Sequence, residues 1–444
     1  MKDFTTGNVA RHIFNFTLPM LLGNVFQQLY NIVDSIIVGK VLGKEALASV
    51  GASFPIIFTL IALLIGIGSG FSIVISQFYG AKDIDRVKRS IDTMYIFLFI
   101  SALIMSILGI YFSKDLFRLL QLPEELMPQA ITYLNIYMSG MILFFGFNGT
   151  SSILRGLGDS KTPLYFLILS SILNIAFDLL FVMVFRWGIA GAAWATVLAQ
   201  GIAFVSILLY LNNTHKIMKF SVAKLRFDTD LFKKSLKIGL PSGLQQTFVA
   251  VGMMTLLGIV NTFGTDVIAA YTAAGRIDSL AMMPAMNFAQ ALATFVGQNL
   301  GANKIDRVKK GFKATFIMSN LFCLIMSALI ILFGSNLMRL FTTDPQVIEI
   351  GQNYLIIVSS FYLIFSSMFT IQGVLRGAGD TLIPMFITLF SLWIIRIPAA
   401  YFLSNEIGSD GIWWSIPMGW SIGMTCSYIY YRMGRWKTKA VTNQ

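Results

Sequence analysis

Charge is scarce in this chain. Asp, Glu, Lys and Arg make up 12% of its 444 residues, whereas 56% are hydrophobic; a soluble domain carries about 25% charge. Mean hydropathy is +0.73, which excludes a soluble globular protein and implies an integral membrane protein of many spans. Cysteine is nearly absent: Cys323 and Cys426 both lie inside apolar runs, so no disulfide framework is indicated. Histidine is equally rare, with His12 and His215 at the edges of apolar runs. A histidine proton relay or a His-rich metal site is thereby disfavoured, and carboxylates must carry any protonation chemistry. Glycine-rich loops occur, but none ends in the Gly-Lys-Ser/Thr of a phosphate loop. No nucleophile–base or metal-ligand set argues for an enzyme. The net charge of +12 resides in short loops between apolar runs rather than on one domain, which disfavours nucleic-acid binding. The N-terminus, MKDFTTGNVARH, lacks the short apolar core and small-residue site of a cleaved signal peptide.

What is abundant is apolar length. Runs of about 20 residues or more recur at roughly 13–38, 50–78, 91–112, 129–153, 163–185 and 188–211, and again at 236–262, 267–298, 313–333, 347–373, 383–403 and 411–431. Twelve transmembrane helices are expected. One alternating set of connections, including both termini, holds 25 Lys and Arg; the other holds six, Lys40, Lys44, Lys114, Arg118, Arg186 and Arg339. The positive-inside rule then places both termini in the cytoplasm.

The chain repeats itself. SQFYGAKDIDRVKRS at 76–90 returns as GQNLGANKIDRVKKG at 297–311, and LRGLGDSKTP at 154–163 returns as LRGAGDTLIP at 375–384, both offset by 221 residues. Leu18-Pro19 echoes Leu240-Pro241, one residue out of register. An all-α membrane protein of two homologous six-helix lobes is expected: 1–211, a cytoplasmic linker over 212–235, and 236–444. Parallel repeats of this size belong mostly to secondary transporters that bind substrate between the halves.

Polar residues inside the runs mark where chemistry would sit. The first run, LPMLLGNVFQQLYNIVDSIIVG, carries Asn24, Gln27, Gln28, Asn31, Asp34 and Ser35 within about a third of the helix circumference. An intramembrane aspartate costs roughly 2.5–3.5 kcal/mol on insertion scales and reads by default as a proton or ion site. Asn174 and Asp178 share a face of the fifth run, Thr196 and Gln200 a face of the sixth, and Asn148, Ser151 and Ser152 fall in the fourth. The repeat offset turns Asp34, Asn174 and Asp178 into Thr255, Ile395 and Ala399, so the second half does not duplicate this set. Paired carboxylates with amide and hydroxyl neighbours suit either proton exchange or Na⁺ held at Asp34 and Asp178. The second half offers Gln245, Gln246, Asn287, Gln290 and a lone Arg396, with Arg276 and Asp278 read as an ion pair near a helix end. Met253, Met254, Met282, Met283 and Met286 are adaptable apolar surface. The LRGxGD loops read as either hinges or membrane-surface turns.

The repeated LRGxGD, the paired Q-x₂-GA…DRVK loops, the polar first helix with Asp34 and the Asn174-x₃-Asp178 pair together resemble the multidrug and toxic compound extrusion (MATE) family over essentially the whole chain. The resemblance is to the bacterial branch of DNA-damage-inducible-F and Staphylococcus-type multidrug exporters. It implies two six-helix lobes and secondary active, cation-coupled export of mostly cationic, aromatic compounds by an antiporter of the cytoplasmic membrane. It implies a first-lobe coupling site at Asp34, Asn174, Asp178 and Thr196, with Asn148 joining them. Gln27, Asn31, Gln245, Gln246, Met253, Met286, Asn287 and Arg396 would line a substrate cleft. No cofactor is expected beyond H⁺ or Na⁺ as coupling ion; the partners are organic cations and the lipid bilayer, and the protein is expected to be a monomer. The seventh run lacks the acidic residue that other branches carry there. The alternative is a lipid or lipid-linked oligosaccharide flippase of the same superfamily, which would want a strongly cationic cleft.

Overall fold

The computed structural model describes residues 2–221 and 224–443, and the described residues form helices without a strand. The first half contains α1 (Val9–Ile37), α2 (Lys44–Gly80), α3 (Ile84–Tyr111), the bent pair α4a (Met127–Ser139) and α4b (Met141–Gly156), α5 (Lys161–Asp178) and α6 (Ile189–Thr214). The second half follows the same order: α7 (Thr229–Asn261), α8 (Thr265–Gly301), α9 (Ile305–Met338), the bent pair α10a (Pro345–Ser359) and α10b (Tyr362–Gly377), α11 (Leu382–Ile407) and α12 (Ser409–Met433). The bent pairs turn by 52° and 48°.

Eight of these helices are long and apolar enough to cross a membrane, ten if each bent pair is one span. The remaining two of the twelve expected positions, α1 and α12, fall short of that measure. The polar stripe Asn24–Ser35 dilutes α1, and α12 is rich in serine, glycine and aromatic residues.

The backbone repeats as the sequence does. Gly43 and Gly264 both have φ of 89° ahead of α2 and α8, and Lys82 and Asn303, also 221 apart, both enter the left-handed region at φ 61° and 56°. The LRGxGD motifs connect consecutive helices. In each, the first glycine packs a helix against its neighbour's backbone: a Cβ on Gly156 would stand 2.7 Å from the Ser72 carbonyl, and one on Gly377 would stand 2.4 Å from that of Ala293. The second, Gly158 or Gly379, has positive φ and ends the helix. Asp159 then caps α5, accepting from the amides of Lys161 and Thr162 at 3.1 Å.

The chain divides into two compact units, Leu18–Gly243 and Asp3–Thr17 with Leu244–Gln444. This differs from the expected boundaries at 211 and 236 in two ways, each with a local cause. The N-terminal arm joins the second unit because Phe4 is buried there beside Phe16 and Phe295, its amide donating to Gln298 Oε1 at 2.9 Å. The linker and the start of α7 join the first unit because Ser235, Gly239 and Gly243 lie against Gly66, Ile67 and Gly70 of α2. Small residues four apart on both helices allow this backbone contact. Val222 and Ala223 of the expected linker, with the terminal Met1 and Gln444, lie outside the described residues.

Candidate cation-coupling site

Within the first unit, three helices bring their polar positions to one place. α1 carries Tyr30 and Asp34 one turn apart; α5 carries Ser170, Asn174 and Asp178 at four-residue spacing; α6 carries Thr196 and Gln200 likewise. A narrow crevice is lined by Tyr30, Ser170, Asn174, Thr196, Ala199 and Gln200. Asn174 Nδ2 donates to Thr196 Oγ1 at 3.3 Å, and the Thr196 hydroxyl turns back to the Ala192 carbonyl at 3.3 Å. At the end of α5, where the helix widens into the π-helical turn Leu179–Val184, Asp178 is fully buried and its carboxyl faces that of Asp34. Isolated π-turns are frequent at functional sites.

The hydrogen-bond inventory gives this site its chemical character. Asp34 Oδ1, both oxygens of Asp178, Asn174 Oδ1 and Gln200 Oε1 are all buried, and no backbone or side-chain N–H donates to any of them. Buried acceptors without donors are costly. The facing carboxyls and the free Asn174 Oδ1 one turn away, with no unpartnered nitrogen among them, suit a cation, while Gln200 lies with Ser170 in the crevice on the other side of the Asn174–Thr196 bond. Oxygen-only donor sets suit a hard ion, and a proton shared between facing carboxyls satisfies the same need. The residues therefore fit either H⁺ or Na⁺. Among the described residues, no group of three His, Cys, Asp or Glu side chains is placed to hold a metal ion.

Asp34 thus meets Asp178 and Asn174 meets Thr196, the two pairs being linked by the one-turn step from Asn174 to Asp178 on α5; spacing alone placed residues on shared helix faces but did not show that the helices meet. Asn148 does not join them by any hydrogen bond among the described residues: its Nδ2 donates to the Phe144 carbonyl of its own helix at 2.9 Å. Three tyrosines were missed. Tyr30 and Tyr133 lie within electrostatic reach of both Asp34 and each other, Tyr133 also reaches Asp178, and Tyr137 stacks on Tyr133 at 6.3 Å. The four-residue steps from Tyr30 to Asp34 and from Tyr133 to Tyr137 were the available signal.

The residues expected to line a substrate cleft have varied surroundings. Gln27, Asn31, Gln246, Met253 and Met286 are exposed. Gln245 donates to Thr388 Oγ1 at 2.6 Å, and buried Asn287 donates to the Met283 carbonyl at 2.9 Å. Arg396 is buried. The expected Arg276–Asp278 ion pair does not form. Residues two apart on a helix point away from each other, so Arg276 is exposed while Asp278 turns inward to accept from Tyr362 at 2.6 Å and Tyr354 at 3.2 Å.

Comparison with known proteins agrees with this architecture. The family model MatE matches twice, over residues 19–180 and 241–402, once in each half. The probable multidrug resistance protein YpnP of Bacillus subtilis (strain 168) is 35% identical, over 98% of this chain and 97% of its own length. The FAD transporter of Shewanella oneidensis is 25% identical, over 98% and 97% respectively. A solved outward-facing structure of a multidrug resistance MATE family transporter of the MOP superfamily superposes with a TM-score of 0.91 at 26% identity, covering 98% of each chain. Matched in both halves by the family model and over 98% of its residues by relatives, this integral membrane protein belongs to the MatE family of multidrug and toxic compound extrusion transporters.

Proposed function

We propose that this protein is a secondary active multidrug antiporter of the cytoplasmic membrane, exporting cationic, aromatic compounds in exchange for H⁺ or Na⁺ bound at Asp34 and Asp178. The observation that carries the reading is the facing of two buried carboxyls amid donor-free oxygens. A site so rich in unpartnered acceptors binds a cation more tightly than it tolerates being empty. Asp34 lies one turn before the π-helical turn Val38–Leu42 and Asp178 borders the π-turn Leu179–Val184, so loading changes the charge beside two places where regular helix is already interrupted. Antiport requires that ion and drug favour different conformations, each lowering the affinity for the other. Asn174, hydrogen-bonded to Thr196, holds its free Oδ1 toward the same ion.

The test is ethidium efflux from cells with the H⁺ and Na⁺ gradients imposed separately. Efflux driven by the pH gradient and abolished in Asp34→Asn is expected for proton coupling; efflux that follows Na⁺ keeps the site and changes the ion. Full gradient-driven efflux in Asp34→Asn would refute the coupling assignment. No efflux under either gradient would favour a lipid or lipid-linked oligosaccharide flippase instead, read out by scrambling of headgroup-labelled lipid.

A further inference from the structure

The two units differ in what they leave unpartnered. Among the described residues the first unit's unpartnered buried side-chain atoms are all oxygens, whereas the second unit's include three nitrogen donors, Arg376 Nε, Arg396 Nε and Trp413 Nε1. Arg396 ends the π-helical turn Phe390–Arg396 within α11 and is only 8% exposed. Its side chain lies along Gly419 of α12, where an added Cβ would stand 3.1 Å from Arg396 Cβ. Its Nε has no hydrogen-bond partner. Among the described residues no carboxylate pairs with it within 4 Å, although Asp278, Tyr271 and Tyr354 lie within electrostatic reach. The nearby acceptor is already engaged, since one Asp278 oxygen takes the Tyr362 hydroxyl and the other that of Tyr354.

Two further polar groups in the same surroundings are idle. Trp413, fully buried, stacks on Tyr271 at 5.6 Å and takes Tyr354 edge-on at 5.0 Å, and its indole N–H has no acceptor. The buried Ser391 hydroxyl, five residues before Arg396 on the same π-turn and facing Gly423, is also without a partner. A buried guanidinium in a membrane protein is expensive unless an anion meets it, and its planar fork matches a carboxylate or phosphate. We propose that Arg396, Ser391 and the rings of Tyr271, Tyr354 and Trp413 form a second-unit binding site for the oxyanion group of an aromatic ligand, a carboxylate or a phosphate monoester. The proposal goes beyond cation-coupled export of organic cations: it makes no use of Asp34 or Asp178 and extends the ligands to anions. Asp278, held by the Tyr362 and Tyr354 hydroxyls, makes no ion pair with Arg396 within 4 Å, so the anion would meet the guanidinium itself.

The test uses the full-length protein purified in detergent and three probes of matched size: benzoate, phenyl phosphate and benzylammonium. Ligand binding to the folded state raises the melting temperature with concentration. Benzoate, phenyl phosphate or both are expected to raise it, benzylammonium is not, and which anion acts identifies carboxylate or phosphate. In Arg396→Gln the anion concentration needed should rise roughly 10–100-fold, the value of a charged hydrogen bond; Arg276→Gln, an exposed arginine of the same unit, should behave as the parent. If Arg396→Gln fails to fold, Arg396→Lys, which keeps the charge and loses the fork, should weaken the response. Equal stabilisation by benzylammonium, an unchanged response in folded Arg396 variants, or no shift with any probe would overturn the proposal.

Discussion

The guanidinium of Arg307 closes over the carbonyl of Phe4, Nη2 donating to it at 2.9 Å. The same group reaches the carbonyls of Thr6 at 2.8 Å and Gly7 at 2.9 Å, its Nε donates to Asn299 Oδ1 at 3.1 Å, and it lies 5.7 Å over the Phe295 ring. One side chain from the repeated DRVK motif thus holds three residues of the N-terminal arm. Its repeat mate Arg86 stands 53% exposed and pairs with Asp83 across one turn at 3.5 Å.

Identical motifs should therefore respond differently to mutation. Arg307→Ala removes several charged hydrogen bonds and should destabilise the second unit by about 3 kcal/mol, whereas Arg86→Ala should cost less than about 1 kcal/mol. Melting in detergent, with hydrogen exchange at the amides of residues 4–7, checks this. Equal shifts for the two variants would contradict the assigned roles.

Because Asp34 and Asp178 face one another, they should act as one titrating unit rather than as two sites. Asp34→Asn and Asp178→Asn should each remove most gradient-driven efflux, and the double variant should lose little more, giving a coupling energy of roughly 1 kcal/mol or above in the mutant cycle. The pH profile of efflux, stepped in the parent, should collapse to a single step in whichever single variant retains measurable transport. Additive losses would mean that the carboxylates work separately.

Backbone contact between α2 and α7 yields a prediction of opposite signs along one helix. A Cβ at Gly66 would stand 2.2 Å from the Gly243 Cα, while one at Gly51 meets nothing within 4 Å. Gly66→Ala should therefore destabilise the first unit by about 1–3 kcal/mol. Gly51→Ala should stabilise it by up to about 1 kcal/mol through helix propensity. A melting temperature raised by Gly66→Ala would show that the helices do not meet there.

How far the sequence could be read depended on the range of the interaction concerned. Apolar run length, loop charge and the 221-residue offset are properties of the chain itself, so the helical class, the six-plus-six order and the duplicated turns were legible. Asn174 with Asp178, and Thr196 with Gln200, were placed correctly on shared faces because helical spacing is local. The bends within α4 and α10 and the π-turns after Asp178 and before Arg396 carry no such periodic mark.

What only the tertiary structure decided was partnership. Asp178 and Arg396 are both single charges in apolar runs, indistinguishable by composition. Packing set Asp178 against a second carboxyl among empty acceptors, and set Arg396 among idle donors beside an aspartate already satisfied by two tyrosines. The Gly66-x₃-Gly70 and Gly239-x₃-Gly243 spacings were present in the sequence, yet their meeting places the boundary between the two units near Gly243 rather than in the basic linker. Hydrophobic length establishes that a helix exists, because burying apolar surface is non-directional. Which polar atoms meet depends on distance and angle between helices far apart in the chain, and only the folded arrangement supplies those.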